Sequence, residues 1–143
     1  MRLALPAFPV EGGCVCGAVR YRLSGRPRAL YACYCRDCQH ISGGLAGAVV
    51  VFPRAAHRLR QGSLRTFWSV SEEGTRVGRS FCPACGTHLS AINTRHPEII
   101  PIRVGVLDDP SRFRPTANLW IRSAQPWHEI DRALACFETQ PAA

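Results

Sequence analysis

The chain has no long hydrophobic run. No stretch approaches the ~20 apolar residues of a membrane span, and the apolar N-terminus, from Met1 to Val10, is broken by Pro6 and Pro9. A secretory core needs roughly 7–15 uninterrupted apolar residues, so this stretch does not read as a signal peptide. The expected compartment is the cytoplasm, with no membrane partner, where clustered cysteines mean metal or redox chemistry rather than disulfides. Lysine is absent as well: all eighteen basic residues are arginine, scattered from Arg2 to Arg132 without forming a run. A formal charge of +8 with that scatter describes a solvated, mixed surface and argues against a nucleic-acid face. Internal repeats, linkers and low-complexity segments are also missing. The 143 residues are therefore expected to form one domain, 1–143, with its core over about residues 10–130.

What is present is punctuation and alternation. Eleven prolines and twelve glycines are spread along the chain, which favours many short elements and a mainly β, mostly antiparallel fold. Gly12 and Gly13 open a turn. Val19, Tyr21 and Leu23 alternate with Arg20 and Arg22, the period of a half-buried strand. A second strand is expected from Arg28 to Ala32, and the apolar stretch from Leu45 to Phe52 suits a buried one. The stretches from His57 to Arg60 and Leu64 to Trp68 read as a hairpin around Gly62. Arg76 to Phe81 and His88 to Asn93 read as a strand and its return. Pro101 cannot donate to a ladder, so Ile99 to Leu107 is expected at an edge or bend. A last strand is expected from Ala117 to Arg122, followed by a short helix or irregular tail.

Seven of the eight cysteines are clustered: Cys14 with Cys16, Cys33 with Cys35 and Cys38, and Cys82 with Cys85. Zinc in a structural site takes four tetrahedral ligands. The simplest division is two plus two for one closed site, joining Cys14 and Cys16 to Cys82 and Cys85, and three for a second. The Cys82-Pro-Ala-Cys85-Gly86 turn reads as a zinc knuckle; unfilled redox pairs are the alternative. The three-cysteine cluster could be closed by His40, which is nearest, or by His57, His88, His96, His128 or Cys136. Left open, three thiolates leave a net charge of about −1 around Zn²⁺, a weak Lewis acid that can still bind and deprotonate an added thiol. A fourth thiolate would take the site to about −2, so cationic neighbours matter, and Arg36 and His40 lie in the same turn. The H-E-x-x-H of a zinc protease is absent, and so is the H-x-E with P-C-x-x-C of a deaminase. Trp120 and Trp127 read as core rather than pocket.

Taken together, Gly13-Cys-Val-Cys-Gly17, Cys33-Tyr-Cys-Arg-Asp-Cys38 with Ser42-Gly43, Phe81-Cys-Pro-Ala-Cys-Gly-Thr87, Gly105-Val-Leu-Asp-Asp-Pro110 and Trp127 resemble the glutathione-dependent formaldehyde-activating enzyme family, also called the centromere protein V/Gfa-like family. The resemblance implies an Mss4-like antiparallel β fold with zinc knuckles. It implies two Zn²⁺ per chain, a structural one on Cys14, Cys16, Cys82 and Cys85 and a catalytic one on Cys33, Cys35 and Cys38. It also implies carbon–sulfur lyase chemistry on a thiol–aldehyde adduct such as S-hydroxymethylglutathione, with glutathione or a similar thiol as co-substrate. Asn118 and Val106 depart from the family's pattern, where a histidine and a threonine are expected. The expectation is thus a zinc-dependent lyase, monomer or homodimer, with Cys33, Cys35, Cys38, Arg36 and His40 at its catalytic site. The rival is a non-catalytic zinc module that binds nucleic acid or protein.

Overall fold

A computed structural model describes residues 4–141; residues 1–3 of the N-terminal stretch and 142–143 lie outside it. In chain order the strands are β1 (Val10–Gly13), β2 (Arg20–Leu23), β3 (Ala29–Cys33), β4 (Gly47–Pro53), β5 (His57–Gln61), β6 (Arg65–Val70), β7 (Arg76–Phe81), β8 (His88–Asn93), β9 (Ile99–Arg103), β10 (Ala117–Leu119) and β11 (Ala135–Cys136). One short helix, α1 (Arg36–Ile41), follows β3. The expected mainly β architecture holds. Strands β1, β2 and β5 form a small antiparallel sheet. The other eight form a larger one in the order β11-β10-β3-β4-β9-β8-β7-β6.

Alternation dictates which face is core. Tyr21 and Leu23 of β2 are buried with Val50 and Phe52 of β4 and Ile100 and Ile102 of β9, so the two sheets share one apolar cluster. Burying side chains of this size is worth about 1.5–3 kcal/mol each. On the other face of the larger sheet, Tyr31, Val49 and Arg103 lie side by side in register across β3, β4 and β9. That face carries the cysteine chemistry.

Several local expectations change once tertiary pairing is known. Gly12 and Gly13 lie within β1 rather than opening a turn; a Cβ on Gly12 would stand 2.5 Å from the Tyr21 hydroxyl and from the Val106 carbonyl oxygen. The two halves of the expected hairpin belong to different sheets, because β5 pairs with β2 and β6 with β7. Gly62 (φ +79°) still makes the turn, but the turn carries the chain from one sheet to the other. Strand β9 is central, not an edge. Its ladder to β4 is continuous past Pro101, whereas its register with β8 is a single pair, Ser90 with Ile102. Strand β10 runs parallel to β3 and β11, and stops at Leu119 because Trp120 adopts a left-handed conformation (φ +60°). After it come a 3-10 turn at Ile121–Ser123 and then a tail that is irregular except for β11.

Candidate metal centre

The first cysteine group lies where the two sheets meet. Cys14 and Cys16 sit in the connection after β1, and Cys82 and Cys85 in the turn between β7 and β8. Their four sulfurs lie within 4.8 Å of one another. Four sulfurs placed ~2.3 Å from a tetrahedral zinc would stand ~3.8 Å apart. The observed separations include 3.5 Å between Cys14 and Cys16 and 3.8 Å between Cys16 and Cys82. Neighbouring groups supply donors: the Val19 N–H reaches Cys14 Sγ at 3.2 Å, and the Thr87 hydroxyl lies 3.1 Å from Cys85 Sγ. The Thr87 hydroxyl and backbone draw the Cys85 thiol down to about 5. Gly17 and Gly86 both take positive φ after their cysteines, as tight knuckle turns require. All eight cysteines are free thiols, and this donor set fits a structural zinc.

The second group has three thiols. Cys33 ends β3, Cys35 caps α1 with its sulfur accepting from the Cys38 N–H, and Cys38 lies inside the helix. The C-x-x-C spacing thus becomes one turn of a helix that the sequence reading did not anticipate. Among the described residues the group is Cys33, Cys35 and Cys38, with no histidine or carboxylate joining them. His40 is exposed, its Nδ1 2.7 Å from the Arg36 carbonyl oxygen. Arg36 is exposed as well and bonds the Gln39 side chain. His57 lies against Tyr21, and His128 is held by the Gly44 carbonyl and the Gln125 N–H. Cys136 accepts from Asn118 Nδ2 and lies near the Leu134 carbonyl.

A cavity of about 150 Å³ opens beside the three thiols. Its walls include Tyr31, Val49, Pro101 and Trp120, with Arg79 and Arg103 as its cations. Arg103 is the residue that sequence reasoning missed. Both of its terminal nitrogens lie 3.8 Å from Cys38 Sγ, and its Nε donates to His88 Nδ1 at 3.0 Å. Hydrogen bonding with Cys33 and Cys35, together with the Arg103 charge, draws the Cys38 thiol down, while hydrogen bonding with Cys35 and Cys38, and burial, push Cys33 up. Burial, then the charges of Arg103 and Arg79, hold His88 near 4, so its ring is neutral at pH 7 and can accept. Nothing near Cys33, Cys35 or Cys38 in the sequence signals a residue 65 positions on; only the pairing of β4 with β9 brings it there. Trp120 is buried and forms cavity wall, whereas Trp127 is exposed rather than core. Asn118 is buried and donates to the Asp131 carbonyl, tying down the tail, not lining the cavity.

These features define a mainly β, Mss4-like protein with two cysteine clusters that could each hold a metal ion. The family model described as "Glutathione-dependent formaldehyde-activating enzyme" matches residues 9–123, and the chain belongs to that family. A relative from Halomonas elongata, named "Putative glutathione-dependent formaldehyde-activating enzyme", is 31% identical over 127 residues, covering 85% of this chain and 81% of the relative. A crystal structure of a Rhodobacter sphaeroides protein resembles the fold, with a TM-score of 0.56 and 16% identity over 89% of this chain and 98% of that one.

Proposed function

We propose that this chain is a zinc-dependent carbon–sulfur lyase acting on the adduct of glutathione, or a similar thiol, with formaldehyde. Cys14, Cys16, Cys82 and Cys85 would hold a structural zinc, and Cys33, Cys35 and Cys38 a catalytic one. The second ion would supply a coordination position that binds a thiol and favours its thiolate form. The observation that carries this reading is that a three-thiol group, with no fourth protein ligand among the described residues, faces a cavity. Family membership supports the thiol and the aldehyde.

In the direction of cleavage the carbon–sulfur bond breaks with its electron pair passing to sulfur. The hydroxyl oxygen loses its proton to solvent as the carbonyl forms, so thiolate and formaldehyde are the products. Val49, Val77 and Pro101 give the cavity apolar walls that limit water around the reacting carbon. Arg103 places positive charge where the departing sulfur becomes negative. Arg36 and His40, exposed on α1 beside the cluster, would meet the carboxylates of the peptide that stay outside.

Exchange NMR on glutathione mixed with ¹³C-formaldehyde tests the reading. The zinc-loaded protein should speed exchange between free thiol and hydroxymethyl adduct, and Cys35→Ser should abolish the acceleration. An intact protein, loaded with two zinc ions, that leaves the exchange rate unchanged would refute it.

A further inference from the structure

Arg79 and Arg103 both line the cavity, but their charges are spent differently. Arg79 forms an ion pair with Asp37 at 3.3 Å and bonds the Ser69 hydroxyl. Arg103 has no carboxylate partner among the described residues; its partners are Cys38 Sγ and His88. The neutral imidazole fixes the guanidinium through Nε without cancelling its charge. The other ring nitrogen of His88 is buried and bonds nothing, so the ring's one polar contact is with Arg103. Gly47, paired with Cys33 in the β3–β4 ladder, makes room for this arrangement. A Cβ there would collide with Arg103 Nη1 and stand 3.3 Å from Cys38 Cβ. A neutral acceptor and a missing side chain, from two different strands, thus hold one unpaired cation against one thiol.

We infer that Arg103 is a positioning residue that tunes the three-thiol site to accept an anionic sulfur, with His88 fixing its direction and Gly47 admitting it. The inference rests on the proposed metal at Cys33, Cys35 and Cys38. Three thiolates on a divalent ion carry a net charge of about −1, and an incoming thiolate adds another. The guanidinium offsets that addition. Its removal weakens binding of an anionic ligand far more than that of a neutral one, because only the former gains from the charge.

The test uses protein loaded with two Co²⁺ in place of zinc, titrated with glutathione or with imidazole and followed by the sulfur-to-cobalt charge-transfer band. Compared with the intact protein, Arg103→Met should bind glutathione roughly 10- to 100-fold more weakly, within what one unit charge near 4 Å supplies. Imidazole binding should change by less than about threefold, because a neutral ligand gains little from the charge. Arg103→Lys should recover part of the loss. Gly47→Ala, which keeps the charge but displaces it, should behave like Arg103→Met. The four-thiol cage, whose cobalt spectrum should stay the same in every variant, reports that the fold is intact. If Arg103→Met unfolds, Gly47→Ala and His88→Gln carry the comparison. Equal loss for both ligands, or no loss for glutathione, would overturn the inference while leaving the open site standing. An intact protein whose cobalt spectrum ignores both ligands would overturn the open site and this inference together.

Discussion

Tyr21 buries a hydroxyl that has no hydrogen-bond partner, and burial pushes its phenol well above the ordinary range. An unpaired buried hydroxyl costs about 1–3 kcal/mol. Tyr21→Phe should therefore leave stability unchanged or raise it by up to about 1 kcal/mol, read from the urea midpoint at constant slope; a loss above that size would mean the hydroxyl has a partner. Asp108 shows the opposite balance, since hydrogen bonds from Arg20 hold its carboxyl below the usual carboxylate range. A depressed folded pKa contributes stability that is complete above the unfolded value near 3.9 and fades as the pH falls through the folded one. Both side chains are partly exposed, so Asp108→Asn should cost no more than about 1 kcal/mol at pH 7. The difference between variant and parent should shrink below pH 4, and a difference that grows in acid would contradict the pairing. At this scale the thiols were legible in the sequence because their ligand spacings are local. Arg103 and Gly47 were not, since their meaning depends on two strands meeting.

Strand alternation was readable where one face is buried, as in β2, and misleading where partner choice is a tertiary matter. β5 and β6 carry hairpin punctuation, yet each finds a partner in a different sheet. Pro101 suggested an edge or a bend. The chain does turn away after Arg103, into a 3-10 turn at Val104–Val106, but β9 is not an edge. Proline's missing N–H can be tolerated where one neighbouring ladder is sparse, as the single β8–β9 pair is. Helix α1 escaped notice because six residues hold too little periodicity to reveal a helix, and its N-cap is a cysteine. Gly12, one of the two glycines in β1, yields a prediction for the element. Gly12→Ala would press against the Tyr21 ring and the Val106 backbone, which should cost about 1–3 kcal/mol as overpacking of a closed core. A urea titration of that variant matching the parent would show that β1 can shift to admit a methyl group.

Across the molecule, one apolar cluster and one four-thiol cage join the small sheet to the large one. The three thiols belong to β3, α1 and the turn between them, within the larger sheet's territory, and bridge no sheets. The two groups should therefore differ in what their loss does. Structural zinc contributes on the order of 10–16 kcal/mol of apparent binding energy to small domains, so breaking the cage should unfold the chain, whereas emptying the three-thiol site should not. Zinc content per chain, measured alongside circular dichroism for the intact protein, Cys35→Ser and Cys82→Ser, tests this division most directly. The account predicts about two zinc ions in the intact chain, about one in a folded Cys35→Ser, and an unfolded Cys82→Ser. A Cys35→Ser variant that unfolds as Cys82→Ser does would make the three-thiol group a second structural site and contradict the account.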